Sequence, residues 1–212
     1  MPIMTKADAI LPPVHCAQPR LLSVFNYDCW KRKGFAILIA ATSRLGKIIP
    51  DLALDVYGRG SAKSLLDMAA LIEKSALSGR VRLMPPMEHG NMQAAMNQYA
   101  GFALPSRPET YGMVFAEAVL AGVPILWARN QGIDGMFDGM AVGYAADPTS
   151  VDDVAKGLLH LIERQEMLKR SIAELQASGA LDMLRRSQIG GRYSELLERL
   201  ASKSPSTVAT AA

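Results

Sequence analysis

The chain has 212 residues, half of them hydrophobic, with a formal net charge of +3 and few aromatics. That is enough apolar material for one well-buried domain, and the mild, dispersed positive charge gives no support to nucleic-acid binding. The longest apolar run, around Phe35 to Thr42, is too short to cross a bilayer, and Met1 to His15 lacks the pattern of a secretory signal.

In chain order, residues 1–20 are proline-rich and without periodicity, and are expected to form a leader arm. Leu21–Asn26 reads as a buried parallel strand, followed by a helix from about Gly34 to Lys47. Leu52–Tyr57 is the second strand, and Ser61–Ser75 an amphipathic helix with Leu65, Met68, Ala69 and Ile72 as its apolar positions. Val81–Met84 is a third strand, Asn91–Tyr99 a helix, and Gly101–Leu104 a fourth strand. A helix beginning near Gly112 leads to strands at Pro124–Ala128 and Ala141–Ala145. Ser150 or Thr149 then caps a helix to about Arg164, with Asp152 and Asp153 favouring its positive end. More helix fills 165–201, and 201–212 reads as a flexible tail. Strands alternating with helices imply an α/β fold, a doubly wound parallel sheet with a C-terminal helical extension. In such sheets a ligand sits beyond the carboxyl ends of the strands, where Glu109 and Gly58 both fall.

The most informative stretch is Pro105 to Pro124, which carries Glu109 and Glu117 eight residues apart on either side of Gly112. Were that spacing all helix, the two acids would share roughly one side about 12 Å apart. Free N–H groups of Gly112 and Met113 at the helix start suit an anion. Phe115, Ala116, Ala118 and Val119 surround Glu117, and a carboxylate buried among them needs a partner. A polar ligand with hydroxyls at both ends and phosphate between them, such as a nucleotide-sugar, matches this layout.

The same residues resemble the signature of retaining glycosyltransferases of the GT-B fold (glycosyltransferase family 4, or group 1, type). That signature runs Pro-Ser-x-x-Glu-x-x-Gly-x-x-x-x-Glu-Ala-x-x-x-Gly-x-Pro, and every fixed position is present. The resemblance extends from about Leu21 to Leu200 through Lys33-Gly34-Phe35, Val56-Tyr57-Gly58-Arg59-Gly60, Val81-Arg82-Leu83, Gly132-Ile133-Asp134-Gly135 and Asp138-Gly139. It implies one Rossmann-like half of a GT-B fold, the donor-binding domain spanning 21–200. It further implies catalytic positions at Glu109, holding sugar hydroxyls, and at Lys33, assisting with phosphate charge. Glu117 would hold the ribose, with Gly112, Met113, Thr110, Tyr111, Gly58 and Lys31 completing the donor site. The chain departs from the pattern at the arginine expected a few residues before the lysine, where it reads Phe25-Asn26-Tyr27-Asp28-Cys29.

Such a domain moves a hexose from a nucleoside-diphosphate sugar to an acceptor, and it is expected to need a separate acceptor-binding domain or to face a second copy of itself. A nucleotide-sugar-binding module without chemistry, or a truncated remnant, is the alternative. Cytoplasmic placement, polysaccharide assembly and contact with the inner membrane face follow from the resemblance alone. Donor sugar aside, no cofactor is expected. His15, His89 and His160 lack metal-ligand spacing, so no metal is expected either. Gly58 and Gly60 serve a tight turn as readily as a phosphate approach. His89, following Glu88 in a loop, is read as a surface residue, and the basic residues Lys169, Arg170, Arg185, Arg186, Arg192 and Arg199 as a solvated face.

Overall fold

The computed structural model describes residues 11–87 and 92–184. Six strands form one all-parallel sheet: β1 (Arg20–Val24), β2 (Ala53–Tyr57), β3 (Val81–Met84), β4 (Gly101–Leu104), β5 (Ile125–Ala128) and β6 (Gly143–Ala146). Their order across the sheet is β3-β2-β1-β4-β5-β6. All residues of β4 and β5 are buried, as a strand covered on both faces requires. The helices between them are α1 (Phe35–Leu45), α2 (Ala62–Lys74), α3 (Met92–Asn97) and α4 (Met113–Leu120). After β6 come α5 (Val151–Glu163) and α6 (Gln165–Ala177). α5 returns to pack against α1 and beneath β4, β5 and β6.

The doubly wound parallel sheet expected from the sequence is therefore present, with adjustments at element ends. α1 stops at Leu45, and β6 starts two residues later than expected, at Gly143. α2 buries Met68 and Ile72 and leaves Leu65 and Ala69 exposed, with its main contacts made to α1, β3 and the turn after β1. Ser150 caps α5 by accepting from the Asp153 N–H. The expected run of helix from 165 breaks at Gly179, whose φ of +77° ends α6, and within the described residues a short 3-10 turn follows at Asp182–Leu184. Residues 1–10, the 201–212 tail, all of the expected helix over 185–201 and the His89 loop lie outside the described residues.

The later part of the expected leader arm is tied down by buried polar side chains. Lys169 on α6, expected on a solvated face, is 1% exposed. Its Nζ donates to the carbonyls of Val14 and Asn97 at 2.6 and 2.8 Å. Burial pushes this amine down to about 8. The amide of Gln165 pairs with both backbone groups of Cys16, and Asn97 donates to the Pro12 carbonyl. On β2, buried Asp55 is ion-paired with Arg82 and Arg20 and accepts from the Tyr99 hydroxyl. A buried charge so fully met stays ionised.

Candidate functional site

The strand order reverses between β1 and β4, the two central neighbours. The connections leaving these strands run to opposite sides of the sheet, which opens a crevice at their carboxyl ends. Two loops line it, 25–34 after β1 and 105–112 after β4. They are locked together: the Arg107 N–H donates to the Arg32 carbonyl at 2.7 Å. Gly34 sits in the left-handed region, with φ +71°, and a Cβ there would lie 2.1 Å from the Pro105 carbonyl oxygen. Gly34→Ala is expected to cost about 3 kcal/mol of stability or more, read from urea unfolding, because it adds both backbone strain and a clash.

Lys33 and Glu109 meet across these loops. Nζ of Lys33 lies 2.6 Å from Oε2 of Glu109, and both side chains are largely buried. The Ser106 hydroxyl donates to the same oxygen at 3.0 Å, and the Thr110 N–H donates to Oε1 at 3.1 Å. Burial opposes ionisation of Glu109, but Lys33, Ser106 and Thr110 outweigh it and hold the carboxyl below its usual range. Behind it, Gln131 accepts the Glu109 N–H, and a Cβ at Gly132 would meet the Glu109 side chain at 2.8 Å. Ser106, Gln131 and Gly132 escaped the sequence argument as parts of this site. Ser106 was signalled by standing three residues before Glu109, whereas Gln131 and Gly132 carry no local signal because they arrive from the loop after β5.

Glu109 lies ahead of α4 in the loop, so the expectation that both acids share one helix side does not hold. The helix begins at Met113, and Glu117 alone stands on it. Gly112 turns the chain into α4 with φ +72°, and the Phe115 ring fills the space where a side chain would go. Among the described residues, the N–H groups of Gly112, Met113 and Val114 donate to no protein atom. Glu117 has no hydrogen-bond or ion-pair partner among the described residues, and burial pushes its carboxyl up to about 7. A half-buried acid without a partner beside unoccupied amides is an arrangement that suits a polar ligand.

The other expected site residues divide. Thr110 borders Glu109, and Tyr111 is exposed just before the helix start. Lys31 points elsewhere, its Nζ 5.5 Å from the centre of the Trp30 ring. At Gly58 the space for a Cβ is taken by the Phe25 carbonyl at 2.0 Å and the Tyr27 ring, so packing accounts for its glycine. The Tyr27 hydroxyl reaches the ends of β2 and β3, within 2.7 Å of the Val56 and 2.6 Å of the Met84 carbonyl oxygen. Asp28, in the stretch where an arginine was expected, accepts from the Ser61 N–H and the hydroxyls of Ser61 and Ser64 at the start of α2. Among the described residues no cluster of three or more metal-type ligands occurs, and no helix is long and apolar enough to cross a membrane.

Fold and site together define a Rossmann-like α/β domain with a polar crevice at its topological switch point. The sequence model of the family described as "Glycosyl transferases group 1" matches residues 20–176, and the chain belongs to that family. One relative is the GtfA subunit of a UDP-N-acetylglucosamine–peptide N-acetylglucosaminyltransferase from Streptococcus agalactiae. It is 32% identical over 89 residues, covering 42% of this chain and 17% of the relative. A phosphatidyl-myo-inositol mannosyltransferase from Mycolicibacterium smegmatis is 27% identical over 140 residues, covering 64% of this chain and 34% of the relative. The chain thus spans about a third or less of these curated relatives. Among solved structures, sucrose-phosphate synthase from Thermosynechococcus elongatus superimposes with a TM-score of 0.76 at 19% identity, covering 90% of this chain and 47% of that one. TarM from S. aureus, solved with UDP, gives 0.73 at 16% identity, covering 91% and 38%. These likenesses share the GT-B glycosyltransferase fold.

Proposed function

We propose that the chain is the donor-binding part of a retaining glycosyltransferase that transfers a hexose from a nucleoside-diphosphate sugar to an acceptor. The observation that carries this reading is the meeting of Lys33 and Glu109 at the switch point, beside the start of α4 and a Glu117 carboxyl with no partner among the described residues. In this reading the α4 amides and Lys33 take the diphosphate, so that charge developing on the leaving group meets preset donors. Glu109 orients sugar hydroxyls and Glu117 accepts from the ribose diol. The acceptor is gripped by a separate domain, or by a second copy. A solved GtfA/B complex, to which this chain is similar at a TM-score of 0.73 and 19% identity, offers a precedent for shared work between chains. The expected setting is polysaccharide or glycolipid assembly in the cytoplasm at the inner membrane face; the phosphatidyl-myo-inositol mannosyltransferase among the relatives supports its glycolipid part.

A second reading, a nucleotide-sugar-binding module without transfer, is favoured by one observation. Asp28, tied to Ser61 and Ser64, puts a carboxylate in the stretch where the resembled pattern leads one to expect a phosphate-binding arginine. Calorimetric titration with UDP, GDP, ADP and their sugars, with Glu117→Ala alongside, tests the shared premise. Binding that the substitution weakens at least about tenfold supports a donor site. Failure of every member of the panel to bind the native protein would sink both readings. Release of free nucleoside diphosphate when a candidate acceptor-binding partner is added separates transferase from module.

A further inference from the structure

The charge balance of the crevice does not close with the residues assigned so far. A diphosphate carries negative charge on each phosphate group. Lys33 is the expected counter-charge, yet its ammonium is already matched by Glu109 at 2.6 Å. Lys31 stands over Trp30, and Asp28 adds a negative charge of its own. The start of α4 offers only the fractional charge of a short helix. A site with that inventory would orient a diphosphate and leave most of its charge uncompensated.

Two further cations stand on the two loops that form the crevice. Arg32 immediately precedes Lys33, and Arg107 lies two residues before Glu109. Both are exposed, and neither forms an ion pair among the described residues. The one side-chain hydrogen bond of Arg32 among the described residues is a 3.5 Å approach of Nη2 to the Cys29 sulfur. Their backbones are joined by the Arg107 N–H to Arg32 carbonyl bond, and the Gly34–Pro105 contact holds the two loops in register. Two exposed arginines, 75 positions apart in sequence, are thus held side by side by their backbones on the loops that line the crevice.

We propose that Arg32 and Arg107 act as a cationic pair that grips the diphosphate of the donor, one from each loop of the crevice. The proposal rests on the donor-site reading above and names residues that the glutamate signature does not include. Guanidinium suits the task because its planar fork gives paired N–H contacts to phosphate oxygens and a charge that does not titrate. It also spares Lys33 from neutralising the diphosphate alone, so the ammonium can face phosphate while it still orients Glu109.

The test is calorimetric titration of UDP, GDP and ADP, with the matching monophosphates, into the native protein, Arg32→Ala/Arg107→Ala, Arg32→Lys/Arg107→Lys, Glu117→Ala and Arg170→Ala. Both arginines are exposed, so the variants are expected to fold, and their thermal unfolding checks this. The alanine pair is expected to weaken diphosphate binding at least about tenfold, with a smaller loss for the monophosphate and a flatter dependence on salt. The lysine pair should recover only part of the loss, and Arg170→Ala, which removes a charge from α6, should bind within about twofold of the native protein. Native binding that Glu117→Ala weakens and the alanine pair leaves unchanged would overturn this inference alone. No diphosphate binding by the native protein would overturn it together with the donor-site reading.

Discussion

Glu117→Gln is expected to stabilise the protein at pH 8 by about 1–3 kcal/mol while leaving stability at pH 4 nearly unchanged. The folded carboxyl titrates near 7, raised from the ordinary 4.5 by burial. Between those values the folded chain keeps a proton that the unfolded chain releases. The favourable contribution of the neutral acid is therefore complete below about pH 4.5 and is lost as pH rises through 7. Glutamine stays neutral throughout, so the gain should grow across that window. Urea unfolding at pH 4, 6 and 8 measures it, and a gain that does not vary with pH would contradict a buried neutral acid. Should Glu117 hold a ribose diol, the same substitution weakens nucleotide binding, and native affinity rises with pH through 7 as the stronger acceptor forms. A residue that lowers stability in the free protein is consistent with a role in binding.

The second large effect is expected at the other acid. Lys33→Met removes the counter-charge of Glu109 while leaving the carboxyl mostly buried, and should cost about 2–4 kcal/mol at pH 7. Ser106 and the Thr110 N–H remain as donors but bring no full charge, so the Glu109 carboxyl should titrate upward. Adding Glu109→Gln to the lysine substitution removes the stranded charge and should restore more than half of the lost stability. A double-mutant cycle in urea reads this directly. If the double variant were less stable than Lys33→Met alone, the pair would not be what holds the two loops.

Much of the sheet was legible because its strands are short apolar runs bounded by Gly, Pro or Ser, as Gly101–Leu104 and Pro124–Ala128 show. The α2 face was misjudged because periodicity counts apolar positions and cannot tell how far neighbouring elements extend. Leu65 keeps the right spacing but stays exposed at 37%. At the site, Glu109 and Glu117 were legible through their spacing around Gly112. Their setting was not: a helix was assumed across both, whereas Pro108 and the left-handed Gly112 keep Glu109 in the loop. Arg32 and Arg107 stayed hidden because each looks like an ordinary surface arginine until the fold sets the two loops side by side. Asp28 was legible only as a missing arginine, and its bonds to Ser61 and Ser64 needed three dimensions.

The clasp formed by Lys169, Gln165 and Asn97 bears on where this domain begins as a unit of folding. A limit drawn at the first strand, Arg20, would strip Lys169 of its Val14 carbonyl and Gln165 of both Cys16 partners. It would leave a buried ammonium with one of its two acceptors and a buried amide with neither of its Cys16 partners. Residues 12–18 and α6, at opposite ends of the described chain, are in this sense one interdependent element. Truncation at Arg20 is therefore expected to lower stability, and α6 is held as part of the core rather than as an appendage.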